Sequence, residues 1–98
     1  MSEVLTPTVT ILTMTNADQE YSFALPAGCK HFAFQCRSAN DVRIAFVTGK
    51  VATSVEPFVT MKSGGSISSP EKLMANPGTT IYAACAAAGK ILEFITWA

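Results

Sequence analysis

The stretch QEYSFALPAGCKHFAFQCRSANDVRIAFV, running from Gln19 to Val47, decides the fold. In QEYSFAL (19–25), Tyr21, Phe23 and Leu25 alternate with Glu20, Ser22 and Ala24. In KHFAFQCR (30–37), Phe32, Phe34 and Cys36 oppose His31, Ala33, Gln35 and Arg37. In DVRIAFV (41–47), Val42, Ile44 and Phe46 fall together, away from Arg43 and Ala45. A strand turns successive side chains to opposite faces, so a period of two held over three segments specifies half-buried antiparallel strands. Pro26-Ala27-Gly28 and Ser38-Ala39-Asn40 supply the turns between them. Asn16-Ala17-Asp18 and Thr48-Gly49 bound the set on either side.

Outward from this stretch the same alphabet continues. TVTILTMT is threonine-rich and β-branched, which predicts a first strand over 8–14 behind an N-terminal arm of residues 1–7. After Gly49 the pattern loosens. Glu56-Pro57 leads into a short strand at 58–62, Gly64-Gly65 makes a turn, and 66–69 reads as a polar strand or loop. Pro70–Met74 has the makings of one helical turn, and Asn76-Pro77-Gly78 is turn chemistry. Two strands, 79–86 and 90–97, close the chain around Ala88-Gly89. The alanines between Ala83 and Ala88 admit a helix as well, since alanine is the best helix former. Strand is favoured because Thr79, Thr80, Ile81 and Tyr82 lead in with β preference and Gly89 ends the segment early. Such small residues would let another sheet or chain approach closely. The expectation is an all-β chain: a single antiparallel β-sandwich, or jelly-roll-like domain, of seven or eight short strands across residues 1–98. Its inward set would be Tyr21, Phe23, Phe32, Phe34, Ile44, Phe46, Ile81 and Ile91, with some of Leu92, Phe94 and Trp97.

Composition narrows the function. Ninety-eight residues make one domain's worth of chain. The 49% hydrophobic share argues against disorder. Seven Lys and Arg balance seven Asp and Glu, leaving none of the basic excess that phosphate neutralisation on nucleic acid requires. Glu3 stands where a signal peptide wants Lys or Arg, and threonines break the apolar run that follows. The reading is a protein made in the cytosol, with no membrane span. Cys29, Cys36 and Cys85 lack metal spacing and are expected as free thiols, or at most one incidental pair. Cys29, just past a turn, is expected to be the most open of them.

No constellation in the chain carries chemistry. His31 is the single histidine, too few for a multi-histidine metal site. Cys29 and His31 share a strand face, but no third group presents itself to orient a base. The carboxylates lie mostly in or beside turns, and none forms a pair flanking a pocket. Lys62-Ser63-Gly64-Gly65 lacks the order and the following helix of a phosphate loop. We therefore expect no enzyme, no metal and no cofactor.

The last strand is the informative one. In KILEFITWA, Ile91, Ile95 and Trp97 lie on one face while Leu92 and Phe94 lie on the other. A strand apolar on both faces is central beneath a third layer, or it feeds an interface. With little chain left for a third layer, an interface is expected, with Tyr82, Ile91, Glu93, Ile95 and Trp97 as candidates. Glu93 either pairs across a strand with Arg37, Arg43 or Lys90 or meets a neighbouring subunit.

YSFALPAGCKHFAFQCRSANDVRIAFVTGK (21–50), the TMKSGGS turn (60–66) and the closing TTIYAACAAAGKILEFITW (79–97) together resemble small virion proteins of tailed bacteriophages. The resemblance covers about residues 15–97. It implies a β-sandwich accessory component of a phage particle, such as a capsid decoration or cement protein, assembled in the host bacterial cytoplasm. The partners implied are capsid or other virion proteins and further copies of itself, most simply as a homotrimer. No functional residue carries over, because such proteins work through surfaces. The competing reading is a ligand- or receptor-binding β-sandwich module, of tail, fibre or carbohydrate-binding type. Tyr82 and Trp97 are its only aromatic platforms.

Overall fold

The computed structural model describes residues 6–69 and 79–98. Eight strands are found there and no helix: β1 (Pro7–Met14), β2 (Tyr21–Ala24), β3 (His31–Cys36), β4 (Val42–Ala45), β5 (Val59–Met61), β6 (Ser66–Ser68), β7 (Thr80–Cys85) and β8 (Lys90–Trp97). They form two four-stranded antiparallel sheets. One has the order β1-β8-β3-β6 and the other the order β2-β7-β4-β5.

These two orders are one operation on the chain. Four of the pairings, β1 with β8, β2 with β7, β3 with β6 and β4 with β5, are those of a single long ribbon doubled back between β4 and β5. Rolling the ribbon sends alternate rungs to opposite sheets. The β8–β3 and β7–β4 ladders then close the roll. That is the topology of a jelly roll. The helical turn expected at Pro70–Met74, the Asn76-Pro77-Gly78 turn and most of the expected arm lie outside the described residues. The arm is shorter than expected at its inner end. Thr6 and Ala98 exchange both main-chain hydrogen bonds, and Pro7 already belongs to β1.

The core follows from the alternation. Leu92 and Phe94 of β8, Phe32 and Phe34 of β3, Val42 and Ile44 of β4 and Ile81, Ala83 and Cys85 of β7 meet between the sheets, together with Met14. Phe94 is fully buried and touches both sides, with its ring centroid 4.5 Å from Phe23 of β2 and 4.9 Å from Phe34 of β3. Two expected core residues lie elsewhere. Phe46 is 52% exposed because β4 ends at Ala45, so the alternation that would have turned it inward stops one residue too soon. Ile91 is half-buried on the outside, since its neighbour Leu92 takes the inward position.

The outside of the β2-β7-β4-β5 sheet has a cover of its own. The connection from β4 to β5 folds back across it and buries Val51 against Ala45 and Ala84, with Phe58 and Tyr82 alongside. Arg43 holds this cover: its Nε donates to the Val51 carbonyl (2.6 Å) and its Nη2 to Asp18 (2.6 Å). Glu20 accepts from the Thr48 hydroxyl and from the Gly49 amide, whose φ of +85° is a conformation that glycine adopts without strain. The close approach that the alanines of β7 invited is made by the chain's own loop.

The three cysteines are free. Cys29 is buried, contrary to the expectation from its place after a turn. The turn leads it inward, and its thiol donates to the His31 carbonyl. Cys36 is the partly exposed one. A thiol reagent added to the native protein should therefore modify Cys36 first, with Cys29 and Cys85 reacting only on unfolding. Phe94→Ala should cost about 3–5 kcal/mol in urea denaturation, a large part of the stability of a domain this size.

Candidate interaction surface

The outer face of the β1-β8-β3-β6 sheet is built by register. Because Leu92, Phe94 and Thr96 of β8 point into the core, Ile91, Glu93, Ile95 and Trp97 point out. Four of the five sequence-nominated residues therefore share one face. The ladders place their neighbours. Trp97 lies between Pro7 and His31, and Ile95 between Val9 and Ala33. Glu93 lies between Ile11 and Gln35, and Ile91 opposite Thr13. The fifth residue, Tyr82, lies on β7 in the other sheet, half-buried beside the Val51 cover. The structure does not bring it to the same surface.

The face is apolar along β1 and the centre of β8. Val9 is 67% exposed, Ile11 46% and Ile95 38%. A shallow cleft of about 400 Å³ is lined by Val9, Ala33, Phe34, Ile95, Gln35, Glu93 and Ser66. Val9 and Ile11 were read only as strand formers in the sequence. The signal that would have found them is the pairing of β1 with β8, which lies at the opposite end of the chain.

One ion pair borders the apolar strip. Arg37 Nε donates to Glu93 Oε2 (3.0 Å), and Gln35 Nε2 donates to Oε1 (3.3 Å). Of the partners considered for Glu93, the cross-strand Arg37 is the one used. The Arg37 guanidinium first, and Gln35 second, hold the Glu93 carboxyl below its ordinary pKa. Asp41 is lowered in the same way by the Ser63 amide (2.7 Å) and by Lys62 (3.1 Å) at the turn leaving β5.

A second apolar surface, not foreseen in the sequence, surrounds the β4–β5 connection. Phe46, Val47 and Val59 are each more than half exposed and border a cleft of about 290 Å³ with Ile44, Ala45, Pro57 and Phe58. Among the described residues no cluster of three His, Cys, Asp or Glu side chains is placed to hold a metal ion. No family model, curated protein or solved structure matches this chain.

The lowered carboxyls set an acid dependence. A depressed native pKa contributes stability that is present above the unfolded value and is lost as pH falls through the native one. The melting temperature should hold from neutrality to about pH 5 and decline below about pH 4, where ordinary carboxylates begin to protonate. Glu93→Gln should flatten part of that decline. A variant whose acid profile matched wild type would show that Arg37–Glu93 contributes nothing.

Proposed function

We propose that this chain is a structural virion protein of a tailed bacteriophage, a decoration or cement protein that stabilises the head through protein–protein contacts and has no catalytic role. One observation carries the reading: the outer face of the β1-β8-β3-β6 sheet presents Val9, Ile11 and Ile95 to solvent along two paired strands, whereas the loop of the other sheet covers the centre of its outer face at Ala45 and Ala84 and leaves apolar side chains open only at its rim. Contiguous exposed apolar surface normally marks an interaction site. Two further features support it. The segments 21–50, 60–66 and 79–97 resemble phage virion proteins, and the jelly roll is an architecture that viral capsid domains use. The fold-level part is an analogy, because one fold hosts many functions. Trp97, half-buried at the end of the face, is of a residue type enriched among interface hot spots.

The open cleft beside Glu93 and Gln35 favours a second reading, a receptor- or carbohydrate-binding module, since lectin domains share this architecture. The two readings differ in what they retain. Co-sedimentation with heads of the phage that encodes the chain should pellet it saturably. Ile95→Glu should abolish pelleting, and Trp97→Ala should weaken it by roughly 2 kcal/mol with the circular dichroism spectrum unchanged. A chain that stays in the supernatant with intact heads, yet is retained on immobilised host glycans, would overturn the structural reading in favour of the second.

A further inference from the structure

We propose that β1 is a self-pairing edge: two copies join β1 to β1, antiparallel about a two-fold axis, and fuse their outer sheets into one continuous eight-stranded sheet.

The direction of the main-chain groups comes first. Thr6 and Ala98 exchange both of their hydrogen bonds, which makes theirs a bonded pair of the β1–β8 ladder. Bonded and non-bonded pairs alternate in an antiparallel ladder. Hence Thr8, Thr10 and Leu12 bond to β8, while Val9, Ile11 and Thr13 direct their N–H and C=O groups away from it, off the sheet. The opposite side of β8 agrees, because there Ile91 accepts from the Arg37 amide of the β3 ladder. Among the described residues β1 pairs with β8 alone.

Sheet edges are ordinarily protected by shortness, charge, proline or a bulge. Among the described residues the other three edges, β2, β5 and β6, run to four, three and three residues. β1 has eight residues and its register is unbroken from Pro7 to Met14. No charged residue occurs between Glu3 and Asp18, and the proline of β1 stands at its first position.

Length and symmetry identify the occupant as a second copy. Among the described edges only another β1 matches its eight residues; β2 would leave half of these groups unpaired, and β5 and β6 more than half. Antiparallel pairing of identical strands is isologous, so it closes at two copies. A homotrimer built through β1 would instead need β1 to pair with one of those short edges. Val9 and Ile11 of both copies would then join the exposed strip around Ile95. None of this depends on where, or whether, the chain sits in a virion.

The test is light scattering on the full chain over a concentration series, with hydrogen exchange resolved by residue. The expected result is a dimer in which the Val9, Ile11 and Thr13 amides gain protection with concentration. The Thr8, Thr10 and Leu12 amides, bonded within the monomer, should be protected at every concentration. Ile11→Pro removes an N–H that makes no bond inside the monomer, and Ile11→Lys adds the charge that edges usually carry. Each should weaken dimerisation about tenfold or more. Should the proline variant fail to fold, the lysine variant and the wild-type exchange pattern decide. A monomer at every concentration, a trimer, a dimer whose Val9, Ile11 and Thr13 amides exchange freely, or a dimer that a folded Ile11→Lys leaves unchanged would each overturn the proposal.

Discussion

Phe94 holds the two sheets together. Its ring lies against Phe23 of one sheet and Phe34 of the other, so the sandwich closes around a side chain three residues from the end of β8. Its strand is equally constrained, because β8 lies between β1 and β3 and bonds to both. β8 must therefore find β1 before the outer face of the β1-β8-β3-β6 sheet exists. Every rung of the ribbon except β4–β5 joins segments distant in sequence. Such non-local pairing pays its loop-closure entropy early, and folds of this kind are slow for that reason.

The sheets differ in how they meet water. On the β2-β7-β4-β5 side, small residues at Ala45 and Ala84 let the β4–β5 connection lie flat, with Val51 filling the space and Arg43 and Glu20 fixing the first half of the loop at Val51, Thr48 and Gly49. The other sheet has larger aliphatic side chains in the corresponding role, and among the described residues Val9 and Ile95 remain open. Apolar atoms cover much of any protein surface, so single exposed valines mean little. What distinguishes this face is continuity: Val9 stands across from Ile95 in a non-bonded pair, the kind that brings side chains closest.

Much of the fold was legible because strand alternation is a local signal. The pattern at 30–37 places Phe32 and Phe34 inward, and KILEFITW sets Leu92 and Phe94 against Glu93, Ile95 and Trp97, although Ile91, also expected in the core, lies with the outer set. Locality is also where the reading failed. Phe46 continues the alternation on paper, but β4 has stopped, and nothing in DVRIAFV marks that end. Cys29 follows turn residues yet is buried, since the path of a turn is set by what it joins. Tyr82 shares its aromatic character with Trp97, while sheet membership separates the two, and that depends on the rolled ribbon. The exposure of Val9 and Ile11 was hidden for the same reason, being a property of the β1–β8 pairing.

The most direct measurement of the proposed function, with the outer face of the β1-β8-β3-β6 sheet as the contact surface, is a cryo-electron microscopy reconstruction, at side-chain resolution, of the phage particle that the proposal assigns to this chain. The account predicts density for this chain on the head, with Val9, Ile95 and Trp97 against neighbouring protein and the Val51 loop toward solvent. A particle without the chain, or one in which that face is bare and the Phe46–Val59 rim makes the contact, would contradict it.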